Sequence, residues 1–145
     1  MIELNNLAKV ELDEKKLLAL SQKVLADEGG DKKDLSIVFV GSQRIQQLNK
    51  KYRQKDQPTD VLSFAEKDLP LGLNQIGFSS GLGELVICPV VVRKNAREAK
   101  IAFETELVHV LVHGILHLLG YDHEKSESKA RKMRAREKTI LERLR

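Results

Sequence analysis

The stretch FETELVHVLVHGILHLLGYDH, residues 103 to 123, decides how the rest of the chain must fold. From Phe103 to about Leu119 it is apolar on nearly every side, and a helix of that kind belongs in a protein interior. Its one polar stripe beyond the first turn is His109, His113 and His117, spaced i, i+4, i+8. The three share one face, with about 6 Å of rise between neighbours. Buried imidazoles without partners are costly, so the stripe must meet groups that bind it. Gly120 suits a left-handed helix end, after which the chain folds back and brings His123 towards His113 and His117.

Working outward, MIELNN at residues 1 to 6 reads as a short strand, followed by a helix from about Asp13 to Ala26 that Gly29 and Gly30 stop. LSIVFVG, 35 to 41, is a β-branched strand, and Ser42 stands where it would N-cap a helix carrying Ile45 and Leu48 and reaching about Tyr52. Pro58 leads into a third strand, DVLSFAE, 60 to 66. The segment from Lys67 to Gly83 is glycine-rich, contains Pro70, and reads as a surface loop. ELVICP, 84 to 89, makes a fourth strand that Pro89 ends; Val90 to Lys100 is helical, and a charged helix runs from about Ser126 to Leu144. Nothing resembling a repeat or linker divides the sequence, so one domain over residues 1–145 is expected. The predicted fold is α+β: a small mixed four-stranded sheet packed with about five helices around a central buried helix that carries the histidines.

Composition narrows the functional classes. Hydrophobic residues make up 41% and charged residues 32%, which suits a globular protein and argues against extensive disorder. The N-terminus has no apolar signal-like core, and LVICPVVV is too short to span a bilayer, so a cytoplasmic protein without a membrane partner is expected. Cys88 is the single cysteine, which excludes an internal disulfide. Net charge is +4, but residues 125 to 145 hold nine Lys or Arg against Glu127, Glu137 and Glu142. That basic helix, with Lys132 and Arg136 on it, is either a face for an anionic partner such as RNA or a solvated surface.

Two histidines at i, i+4 with a third after a glycine turn form the ligand pattern of the metzincin motif HExxHxxGxxH. HGILHLLGYDH matches every histidine and the glycine, but Gly114 stands where peptidases carry their glutamate base. Three neutral imidazoles leave one tetrahedral position of Zn²⁺ for water, an arrangement that suits catalysis better than structure. The alternatives are hydrogen-bonded core histidines, or a structural zinc closed by Cys88 or Asp122. His109, a turn earlier, reads as a supporting or packing residue rather than a ligand. Taken alone, Arg53 reads as a surface arginine, Thr59 and Asp60 as turn residues, and Ser63 as a strand residue.

HGILHLLGYDH, together with TDVLSFA at 59 to 65, LGELVIC at 82 to 88, and Asn49, Tyr52 and Arg53 ahead of them, resembles the YbeY family of bacterial metal-dependent endoribonucleases and ribosomal RNA maturation factors. The likeness extends over nearly the whole chain; one departure is Ala65, where the family usually has proline. The resemblance implies an α+β fold, one zinc per chain on His113, His117 and His123, and catalytic roles for His113 and Arg53. It also implies single-stranded RNA as substrate, including the 3′ end of small-subunit ribosomal RNA, with ribosome-associated proteins as further partners. Thr59, Asp60 and Ser63 would then line the substrate cleft. The competing readings are a noncatalytic ribosome assembly factor with structural zinc and, opposed by Gly114, a metallopeptidase. With no glutamate at 114 the general base is unassigned, and attack by water or by the RNA 2′-hydroxyl both fit. Few aromatic residues are available for base stacking, so recognition should rest on phosphate contacts.

Overall fold

The computed structural model of the chain describes residues 1–66, 81–121 and 126–144. Among these, the elements run β1 (Ile2–Asn6), α1 (Glu14–Asp27), β2 (Asp34–Phe39), α2 (Ser42–Arg53), β3 (Val61–Ala65), β4 (Gly81–Ile87), α3 (Pro89–Ala99), α4 (Phe103–Leu118) and α5 (Glu127–Arg143). The sheet is mixed and ordered β1-β2-β4-β3, with β1, β2 and β4 parallel and β3 antiparallel to β4 at one edge. This is the α+β architecture that the sequence predicts.

Alternation along the strands divides the core in two. Leu35, Ile37, Phe39, Leu85 and Ile87 face α1, α4 and α5, whereas Leu62, Phe64 and Val86 face Ile45 and Leu48 of α2. α4 touches α1, α3, α5, β3 and β4, and its Leu111, Ile115 and Leu116 are almost fully buried. Each such side chain contributes about 1.5–3 kcal/mol on burial, which is why so apolar a helix takes the centre. Gly114 sets how closely it approaches the sheet: a Cβ there would lie 2.8 Å from Leu85 Cδ2. Among the described residues no single helix is long and apolar enough to cross a membrane.

The helix ends follow from local chemistry. Asp13 caps α1 by accepting from the Lys16 amide, and Ser126 caps α5 by accepting from Lys129. α4 closes as expected on Gly120 at φ +104°, with the Gly120 and Tyr121 amides donating to the His117 and Leu116 carbonyls. Ser42, by contrast, is the first residue of α2 and makes no cap; Gly41 holds the cap position, because the Val40 amide still pairs with the Ile87 carbonyl and the chain turns immediately after.

β4 starts at Gly81, three residues before the predicted strand. Leu82 is the extra residue of a bulge, since Asp34 pairs with Gly81 and Leu35 with Gly83. Gly83 sits at φ +150°, and a Cβ on it would strike the Phe64 carbonyl, so glycines that read as loop serve the bulge. Pro89 opens α3 rather than ending β4. The rest of the expected loop, residues 67–80, lies outside the described residues. Ala65 is the last residue of β3, an edge-strand terminus where proline is also tolerated.

Glu28, the C-cap of α1, braces two later segments. Its carboxylate accepts from Arg136 Nε on α5 and, at 3.3 Å, from the Tyr121 hydroxyl just after α4. Arg136 is therefore tied to the body of the protein, and the basic surface of α5 is carried by exposed residues such as Lys129, Arg131 and Lys132.

Candidate active site

A cleft of about 730 Å³ lies beside β3, the strand at the sheet edge. Three distant segments meet in it: Arg53 at the end of α2, Thr59 and Asp60 ahead of β3, and His113 and His117 on α4.

Arg53 is exposed yet held. Its Nη2 donates to the Ser63 carbonyl at 2.8 Å, its Nη1 to the Tyr52 carbonyl at 3.2 Å, and its guanidinium lies 4.9 Å from the centre of the Phe64 ring. A guanidinium has five N–H donors, so these two bonds fix its plane and leave capacity for an anion. Ser63 thus acts through its backbone, and its side chain is not part of the cleft lining.

Gln54, left-handed at φ +59°, ends α2 and starts the loop to β3. Buried Asn49 closes that loop: its side-chain amide donates to the Gln57 carbonyl at 2.9 Å, and its own carbonyl accepts from the Lys55 amide. Asp60 Oδ1 accepts from the Val61 amide at 2.8 Å and the Thr59 hydroxyl at 3.3 Å, so this pair shapes the turn and lines the cleft at once. Cys88 is fully buried among Val40, Ile45, Leu48 and Phe64 and does not reach the cleft, which removes it as a zinc ligand.

On α4, half-buried His113 presents Nδ1 to Glu137 Oε1 of α5 at 2.6 Å. With that carboxylate accepting the Nδ1 proton, Nε2 is the nitrogen with a lone pair, the tautomer a metal ligand requires. The Glu137 bond raises the His113 pKa above the ordinary imidazole value; burial opposes this, and the charges of Glu137 and Asp60 add to it. Sequence reasoning passed over Glu137. Its signal was present, because Ala130, Met133 and Ile140 are buried and position 137 falls on the same inward stripe of α5. A carboxylate on the apolar face of a helix needs a partner, and His113 is that partner.

His109 is exposed at the cleft rather than packed into the core. His123 and Asp122 lie outside the described residues, and among the described residues no group of three metal-binding side chains is assembled. His113 and His117, one turn apart on one face and with the His113 tautomer set by Glu137, are a donor pair that suits zinc. Were zinc held on this pair, Glu137→Ala would weaken its retention by about 10–100-fold in a chelator competition while the domain stayed folded. An unchanged zinc affinity would remove Glu137 from the site.

A family model described as Endoribonuclease YbeY matches residues 3–145. The chain is 41% identical over 128 residues to the Endoribonuclease YbeY of Syntrophotalea carbinolica, covering 87% of this chain and 83% of that protein. It is 43% identical over 113 residues to the Endoribonuclease YbeY of Staphylococcus carnosus, covering 77% and 72%. A solution structure of a protein from Thermotoga maritima is similar across 98% of this chain and 87% of that one, with a TM-score of 0.65 and 34% identity.

Proposed function

Because the chain belongs to the YbeY family of endoribonucleases, hydrolases that cleave RNA, we propose that it is a zinc-dependent enzyme cutting single-stranded RNA in ribosomal RNA processing, at the 3′ end of the small-subunit RNA. The observation that supports this most is the meeting of Arg53 with His113 and His117 in one cleft, from segments that no local pattern brings together. In this reading His113, His117 and His123 would hold the zinc ion, which would supply Lewis-acid chemistry to a phosphodiester at neutral pH.

The protein side chains supply the rest. Glu137 holds His113 in the tautomer that offers Nε2. Arg53, its plane fixed by the Ser63 carbonyl and the Phe64 ring, gives paired N–H donors to the phosphate oxygens as negative charge grows on them. Lys55 adds positive charge to the same cleft, which Thr59 and Asp60 line at the strand edge. The setting this substrate implies is the cytoplasm and the small ribosomal subunit, with ribosome-associated proteins as further partners.

The test is metal content and RNA cleavage on the same preparation. Protein purified without chelator should carry about one zinc per chain, and cleavage of a single-stranded RNA should vanish on stripping and return with zinc. Cleavage that survives complete stripping defeats the zinc dependence. Arg53→Ala should lower cleavage by on the order of 10²-fold with zinc content unchanged. Wild-type cleavage by that variant would end the role given to Arg53.

A further inference from the structure

We propose that His109 is a catalytic residue that gives a proton to the leaving oxygen as the RNA strand is cut. The inference rests on the endoribonuclease reading above and assigns the acid half of the proton transfer, for which Gly114 provides no side chain.

His109 shares the α4 face of His113 and His117, about 6 Å up the helix axis from His113. It lines the same cleft as Arg53, and it is exposed while Val110 beside it is buried. Core packing therefore gives no reason for an imidazole there. Whereas His113 Nδ1 is engaged by Glu137, no hydrogen bond or ion pair to His109 is formed among the described residues.

The other titratable groups facing this cleft are less suited to the task. Asp60 Oδ1 is occupied by Val61 and Thr59, and Glu137 is occupied by His113. Glu106, on α4 itself, lies about 10 Å along the helix axis from His113, farther from the proposed ligands than His109. Arg53 is committed as a hydrogen-bond donor to the Ser63 and Tyr52 carbonyls and, in the proposed reading, to the phosphate. Imidazole is the side chain most often used for proton transfer to a leaving group. His109 also borders a second cleft of about 300 Å³ that Lys16 and Glu104 share, which gives the ring a route to bulk water.

The step balances as follows. The attacking oxygen, from water or the neighbouring 2′-hydroxyl, forms a bond to phosphorus and loses its proton to solvent. The phosphorus bond to the leaving oxygen breaks, its electron pair stays on that oxygen, and the imidazolium proton of His109 goes there. The neutral ring is then reprotonated from water.

A substrate with sulfur in place of the leaving oxygen isolates this role, because a thiolate departs without being protonated. Mapping the product ends on ordinary RNA first tells which oxygen to replace. His109→Gln and His109→Ala should slow cleavage of the oxygen linkage by about 10²–10³-fold. On the sulfur-bridged linkage they should remain within about threefold of wild type, with zinc content and Tm unchanged. Equal slowing on both substrates, no slowing on either, or loss of zinc would overturn the assignment. Failure of the wild-type enzyme to cut either RNA would instead overturn the endoribonuclease reading beneath it.

Discussion

His117→Ala is expected to abolish RNA cleavage, by on the order of 10³-fold or more, while the domain stays folded. The two halves of that expectation come from different sides of α4. Leu107, Leu111, Ile115 and Leu116 anchor the helix in the main core, and none of those contacts depends on the half-buried imidazole at 117. The cleft face carries the proposed zinc ligands, and losing one of three leaves a site too weak to keep its metal. Zinc analysis, cleavage and thermal melting on one preparation separate the possibilities. A variant that keeps both zinc and activity would place the catalytic centre elsewhere, and one that unfolds when zinc is lost would make the metal structural.

Gly114→Glu carries the largest expected cost to stability. The substitution restores the peptidase pattern HExxH, yet it pushes a side chain into Leu85 where the Cβ alone would stand at 2.8 Å. Overpacking costs about 1–3 kcal/mol and an unpaired buried carboxylate several more, so a loss of roughly 4 kcal/mol or greater is expected. For a chain of this size that is a fall in Tm of about 10 °C or more. Gly114→Ala, which tests the contact without the charge, should lose less. A Gly114→Glu protein that melts like wild type would mean that α4 does not lie this close to β4. The same packing explains why the metzincin-like spacing does not make a peptidase: position 114 faces the sheet, not the cleft.

Much of this was legible in the sequence wherever one physical demand dominated. The all-round apolar character of α4 and the β-branched run of β2 each pointed to a single outcome, whereas the one predicted N-cap, Ser42, did not form. Glycine was read less well, because one residue type serves opposite purposes. Gly120 ends a helix as expected, but Gly81 and Gly83 belong to a bulged strand whose reason is the Phe64 carbonyl, a neighbour that no local pattern reveals. At the site, His113 was singled out by residue type and spacing, and Arg53 by resemblance alone; the structure places both in one cleft. Asn49 and Glu137 act through partners distant in the chain or along a loop; the inward stripe of α5 marks Glu137 as needing a partner, but which partner it has emerges only from the contacts.

The bond between His113 and Glu137 also sets an order of assembly. Synthesis delivers His113 to the nascent chain 24 residues before its carboxylate. For that interval α4 carries its imidazoles with nothing on α5 to orient them. The His113–Glu137 pair forms only when α5 folds back onto α4, so the basic helix that follows the histidines is a late-arriving part of the proposed centre as well as of the surface.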